Sequence, residues 1–388
     1  MPTSRIPAVF IRGGTSKGVF FHAADLPAAG PARDAIFLEV LGSPDPYQRQ
    51  LNGMGGGMSS LSKAVIIAPS EHADADVDYT FAQVAVNQAV VDYGQACGNL
   101  SSAVGAFAVD EKLIEVSDGA VTVRVFSTNT GQIYHAHFEV LDGQAREDGT
   151  FTMSGVAGCG APVKLEYLRP GGAITGQFLP SGQVQEQIET NHFGELSVSL
   201  VDATNPVIFL AAESVGISGT ELPNSLEALP GFLHGLDELR RAAGVRMGIA
   251  ANPELVSLGN PKISMLYAPA DYTTLDGTHI GADEYDIGVR MVSMERIHRA
   301  VTGTGAMCLA AAAQIHGGIA AKLARQPQPG MPLRIGSPSG ILEVDANVVQ
   351  TASGDWDVHS ITVFRTQRRL MEGWVRVSAE LIPATVAS

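Results

Sequence analysis

Short apolar runs dominate the chain, some alternating with polar residues and some continuous, and Gly, Asp or Asn punctuates them. The runs at 63–68, 77–86, 121–126 and 134–140 have the two-residue period or unbroken apolar character of strands and end in turn-forming residues. Helical spacing is rarer, and predicts helices over 32–41, 98–109, 233–247 and 303–316. Two of these, 98–109 and 303–316, carry hardly a charge on any side, so they are expected inside a sheet layer and not on a surface. One falls in each half of the chain, which predicts a duplicated architecture.

Small residues open both of these helices. Cys97-Gly98-Asn99 leads into the first and Thr302-Gly303-Thr304-Gly305-Ala306 into the second, and each start exposes backbone N–H groups suited to an anion. A stretch rich in Gly and Pro at 155–182 separates the halves and serves as hinge or linker. We therefore expect an N-terminal domain over 1–185 and a C-terminal domain over 186–367, with a final strand near 368–388 returning to the first. A chain of 388 residues suits two domains.

Composition narrows the class. Hydrophobic residues make up 45% and charged residues 17%, which describes a compact globular protein. A net charge of -15 excludes nucleic acid and an anionic membrane surface as partners, since both require a basic footprint. The start of the sequence lacks a secretory pattern and no run approaches the ~20 apolar residues of a membrane span, so the cytoplasm is the expected location. Cys97, Cys159 and Cys308 form no CxxC spacing, and His135 and His137 share a strand without an HExxH motif, so neither disulfides nor a metal site is expected. The one macromolecular partner entertained is a second copy, as a homodimer.

An acidic chain that takes an acidic small molecule must gather cations and N–H groups locally. Arg12-Gly13-Gly14-Thr15-Ser16-Lys17-Gly18 does so, nominating Thr15, Ser16 and Lys17 for carboxylate binding, although such a segment alone is more often an exposed turn. It lacks the Walker spacing of a nucleotide loop. Met58, Ser59 and Ser60 lie in a Gly-rich segment that runs into a strand opening at Lys63. An amine against an apolar strand loses hydration, which lowers its pKa toward that of a general base; a lysine snorkelling from a strand edge is the plainer alternative. Cys97, beside Gly98 and Asn99 at a helix start, sits where the macrodipole favours thiolate. Thr302 occupies the equivalent place in the second half, where a hydroxyl can bind but is a poor acid. Arg290 and His298, leading into that helix with Gly303 and Thr304, offer a further cation and a polar group, or serve as packing residues.

RGGTSKGVFF at 12–21, GSPDPY at 42–47, GMGG with SK at 53–63, DADVDYTFAQV at 74–84 and CGN at 97–99 closely resemble the PrpF family. GTEL at 219–222, RMG at 246–248, PKI at 261–263, PSG at 338–340 and LMEGWVRV at 370–377 extend the resemblance over nearly the whole chain. The family is similar to diaminopimelate epimerase. That resemblance implies an α+β fold of two pseudo-symmetric domains, each a mainly antiparallel sheet wrapped around a central helix, with the active site in the cleft between them and no cofactor or metal. It also implies a catalytic pair at Lys63 and Cys97.

Known members act on 2-methylaconitate, aconitate, methylitaconate or 4-oxalomesaconate. The resemblance thus implies a cofactor-independent isomerase of an unsaturated di- or tricarboxylate that works by proton abstraction and return. The GMGG and SSxSK details look closer to 2-methylaconitate cis-trans isomerases than to oxalomesaconate tautomerases. Asn52, Ala96 and Ser337 depart from the family's usual Asp, Asn and His, which leaves the substrate open. The rival expectations are amino or hydroxy acid epimerisation, which the single thiol disfavours, and carboxylate binding without turnover.

Overall fold

The computed structural model describes residues 3–381 apart from 95, 154, 294, 295, 329 and 330, so the far end of the expected returning strand, 382–388, lies outside the described residues. The chain forms two compact units, one made of residues up to Leu165 together with those from Phe364 onward, the other of Glu166–Val363. They divide after Leu165, where the Gly/Pro pattern had placed the boundary near 185. The physical reason is that the later part of the Gly/Pro stretch is tied into the second unit: Thr204 N–H donates to Pro170 O at 2.8 Å and Gly172 N–H to Asp202 O at 2.7 Å. The Asp202 carboxylate accepts from the N–H groups of Ile174 and Thr175 at 2.8 and 2.7 Å.

In the first unit, Thr3–Gly13 and Ser16–His22 form a hairpin closed by Gly14 and Thr15, and Gly14 has the positive φ of 52° that a two-residue turn demands. Gln367–Ser378 pairs antiparallel along the other edge of Thr3–Gly13, which is how the C-terminal strand returns. Ser16–His22 then pairs parallel with Lys63–Pro69, that strand antiparallel with Val77–Val84, that one parallel with Gly119–Ser127, and the last antiparallel with Gln132–Leu141. Parallel neighbours need long crossovers, and each crossover holds a helix. Pro31–Leu41 lies in the first and buries Ile36, Phe37, Val40 and Leu41, with the Phe37 ring 5.6 Å from Phe21. Ser101–Asp110 lies in the second, and every residue but Asp110 is buried. A helix with no polar face has no side to present to water.

The second unit repeats the order. Gly194–Asp202 pairs antiparallel with Pro206–Ala211, that strand parallel with Lys262–Tyr267, then antiparallel with Ile287–Ser293, parallel with Leu333–Ser337 and antiparallel with Gly340–Gln350. Phe232–Arg246 fills the first crossover and the buried Gly303–Ala312 the second. Two helix bounds differ from expectation by more than one residue. The first buried helix begins at Ser101 because 97–100 form a turn whose carbonyls accept from Ser101, Ser102 and Ala103, and the second ends at Ala312. Among the described residues no helix is long and apolar enough to cross a membrane.

Lys262, first residue of Lys262–Tyr267, is buried with Nζ donating, among the described residues, only to Gly259 O at 3.2 Å, and burial pushes its amine down to about 8 from 10.5. The folded chain then binds fewer protons than the unfolded one between those values, so stability rises with pH across that window and carries the full penalty below it. Replacing Lys262 by Met is expected to stabilise the protein by roughly 1–3 kcal/mol at pH 7. Urea melts should show the advantage shrinking as pH climbs from about 8 toward 10.5; an advantage independent of pH would contradict the assignment.

Candidate active site

Lys63 follows the single turn Ser59–Leu61 and opens a strand whose first five residues are buried. Its side chain is 7% exposed, and burial lowers the amine well below the ordinary lysine range, while charge on Cys97 pulls it back in part. Nζ donates to Gln83 Oε1 at 2.6 Å and lies 4.8 Å from the centre of the Phe81 ring. Gln83 stands directly opposite Lys63 in the antiparallel register, so backbone pairing itself brings the two side chains together.

Cys97 is 9% exposed and heads the turn before the first buried helix. Its carbonyl accepts from Ser101 N–H at 3.0 Å, Ser101 Oγ at 2.9 Å and the Tyr79 hydroxyl at 3.3 Å, which fixes the backbone that carries the thiol. Among the described residues the N–H groups of Gly98 and Asn99 take no acceptor. Tyr79, Phe81 and Gln83 alternate along Val77–Val84, so one strand face reaches both Cys97 and Lys63. These three were not among the expected site residues. Their only sequence signal is a polar Gln continuing the inward alternation of two aromatics.

Three glycines let the Thr3–His22 hairpin settle on this pair. A Cβ at Gly13 would stand 2.8 Å from Asn99 O, one at Gly14 would stand 2.4 Å from Asn99 Oδ1, and one at Gly18 would meet Leu100 Cδ1 at 2.9 Å and Lys63 O at 3.0 Å. Ser16 is buried beside the turn, Thr15 and Lys17 are partly buried, and Lys17 Nζ lies 5.5 Å from the Phe10 ring centre. Arg12 is committed to the hairpin: Nη1 donates to Gly14 O and Thr366 O at 3.0 and 2.9 Å. Met58, Ser59 and Ser60 are exposed or nearly so, and Gln83 Nε2 holds the Ser59 carbonyl at 3.1 Å.

The expected site residues of the second unit fare differently. Arg290 is fully buried and spends its guanidinium on Glu221 O at 2.7 Å and on Thr220 O, Val289 O and the Tyr267 hydroxyl at 3.0 Å each. It also lies 5.4 Å from the rings of Tyr267 and Tyr272. The sequence offers it as a substrate cation or a packing residue; the structure makes it a staple for the turn at 219–222, because four of its five N–H donors end on protein oxygens. His298 Nδ1 accepts from Ala300 N–H at 3.1 Å. Thr302 caps its helix by accepting from Gly305 N–H at 3.0 Å and donates to Met291 Sδ at 3.3 Å, so its hydroxyl is occupied. Gly303 and Thr304 N–H groups take no acceptor among the described residues. Ser337 is buried and donates to Gly340 O at 2.9 Å.

The family model described as "PrpF protein" matches residues 3–378. The chain belongs to the PrpF family. It is 38% identical to a 2-methyl-aconitate isomerase of Cupriavidus necator, over 98% of this chain and 99% of that one. A crystal structure of methylitaconate-delta-isomerase matches with a TM-score of 0.84 at 38% identity, over 99% of this chain and 98% of the other. A hydroxyproline epimerase from Agrobacterium vitis matches with a TM-score of 0.54 at 13% identity, covering 99% and 95%, which establishes the shared epimerase-like fold. This PrpF protein is accordingly an isomerase.

Replacing Arg290 by Met strands the carbonyls of Thr220 and Glu221 and should cost roughly 2–4 kcal/mol of stability in denaturant melts. The KM of the enzyme that remains folded should stay within about twofold of wild type. A raised KM at unchanged stability would return Arg290 to the substrate.

Proposed function

We propose that this PrpF protein is a cofactor-independent isomerase of an unsaturated di- or tricarboxylate, of the 2-methylaconitate cis-trans type, with Lys63 and Cys97 as its proton-transfer pair. The observation that carries this is a desolvated amine within electrostatic reach of a thiol at a helix start, both held by one strand face. One of the two groups removes an allylic proton from the substrate. The electron pair left on carbon delocalises over the double bond and the adjoining carboxylate, and the other group delivers a proton to carbon. Return to the same carbon after rotation gives the geometric isomer, and return to the far allylic carbon moves the double bond.

Either route needs the carboxylate held where charge accumulates. The N–H groups of Gly98 and Asn99, which take no acceptor among the described residues and lie at the positive end of Ser101–Asp110, suit that task, with Ser16 and Lys17 on the adjoining hairpin. The reading includes a cytoplasmic location, which the free state of Cys97, Cys159 and Cys308 suits. Epimerisation at one centre is the weaker reading, because Thr302 spends its hydroxyl on capping and supplies no second acid.

Incubating 2-methylaconitate, cis-aconitate, a methylitaconate and 4-oxalomesaconate in deuterated water, followed by proton NMR, tests the proposal. Wild type should wash deuterium into one of them. Lys63→Ala and Cys97→Ser should each slow that exchange by about 10²–10⁴. Undiminished exchange in Lys63→Ala would sink the mechanism, and turnover of none of the four would sink the substrate class.

A further inference from the structure

The amide of Gln83 is oriented by the backbone around it. Nε2 faces the carbonyls of Ser62 at 2.9 Å, Ser59 at 3.1 Å and Val84 at 3.5 Å. Flipping the amide would set Oε1 against three carbonyl oxygens, so Oε1 has to face Lys63, which it meets at 2.6 Å. The Phe81 ring closes another side of the amine at 4.8 Å. Behind Gln83 the 59–62 turn is tied to its strand by the same Nε2 contacts and by Ser62 Oγ, which donates to Val84 O at 2.9 Å. The lysine therefore rests on an acceptor whose own position is set by the carbonyls around its amide nitrogen.

We propose that Gln83 is a positioning residue for the isomerase reaction: its Oε1 accepts from Lys63 Nζ and fixes the amine's place and direction for proton transfer. The inference rests on Lys63 having the role given above. A neutral amide suits this task better than a carboxylate. Carboxylate would hold the amine as ammonium, whereas an amide oxygen accepts an N–H from either the ammonium or the neutral amine and does not itself titrate. Lys63 can then gain and lose its proton without losing its anchor. Nothing in Lys63's own strand could substitute, since Ala64, Val65, Ile66 and Ile67 are apolar and buried.

An acceptor favours the ammonium over the neutral amine, because its hydrogen bond to a charged donor is the stronger. Removing it should therefore lower the Lys63 titration further. In Gln83→Leu the Lys63 limb of the pH–rate profile should move down by about one pH unit or more, and kcat should fall about 10–100-fold while KM changes by less than about threefold. Gln83→Met, close in length and unbranched, serves if the Leu variant does not fold, and thermal melts decide between them. The titration is also read without turnover, from the pH dependence of Lys63 acetylation by acetic anhydride in peptide mass spectra. A wild-type limb and a wild-type acetylation midpoint in either folded variant would overturn the assignment. Lys63→Ala is run alongside: if it is inactive while the Gln83 variants are indistinguishable from wild type, the positioning role fails and the catalytic one stands. Should Lys63→Ala remain active, the catalytic reading itself fails.

Discussion

An amine enclosed by a sheet loses its hydration and must be either neutral or well paired, and at Lys63 this requirement governs the surrounding structure. The apolar strand behind it offers nothing polar. Among the described residues its pairing comes from one amide oxygen and one ring face, with an electrostatic pull from Cys97. All depend on the register that sets Lys63 opposite Gln83, because a slip of one residue would turn Gln83, Phe81 and Tyr79 to the other face together. That register is pinned from the other edge by Ser16–His22, which approaches closely enough only because position 18 has no Cβ. The hairpin glycines, often the mark of a phosphate loop, here answer a packing demand made by Lys63 and Asn99.

The second unit places Lys262 at the matching point, first in the third strand of the repeat, and again a cysteine lies nearby. The outcome differs because of where the sulfur falls along the helix. Cys97 precedes its helix and neighbours N–H groups at the positive end that take no acceptor among the described residues. Cys308 lies inside Gly303–Ala312, donates to Val201 O at 3.5 Å, and burial pushes its thiol far up while lowering the amine. Burial thereby shifts both partners toward their neutral forms. The same two residue types, on the same frame, place the thiol ahead of a helix in one unit and against a backbone carbonyl inside the helix in the other.

Much of this frame was legible because apolar periodicity is a local property. The two buried helices, the strands near 63, 77, 121 and 134, and the duplication all follow from it. Candidate chemistry was legible only where several unusual residues adjoin, as at 97–99. Arg290 stays ambiguous in sequence because a cation on an apolar strand looks the same whether it faces substrate or is caged by the carbonyls of Thr220 and Glu221, about seventy residues away in the chain. Gln83 went unnoticed for the converse reason. A polar residue within an alternating strand reads as solvent-facing, and only the partner strand reveals that its face is the inner one.

The two helix starts show why sequence duplication has not produced chemical symmetry. Thr302 satisfies one N–H of its helix with its own hydroxyl, a cap worth about 1 kcal/mol that cysteine would supply poorly. The turn at 97–100 has no such side-chain cap, and its serines at 101 and 102 donate to carbonyls, so they leave the N–H groups untouched. Buried donors without partners cost stability, and a fold tolerates them where an anion is to take their place. On the proposed function, that leaves one thiol facing one carboxylate and one amine to complete the exchange. Inversion at a single carbon calls for two comparable acids on opposite faces, whereas moving a proton along an unsaturated chain can use two unlike groups, here an amine whose pKa burial lowers and a thiol ahead of a helix.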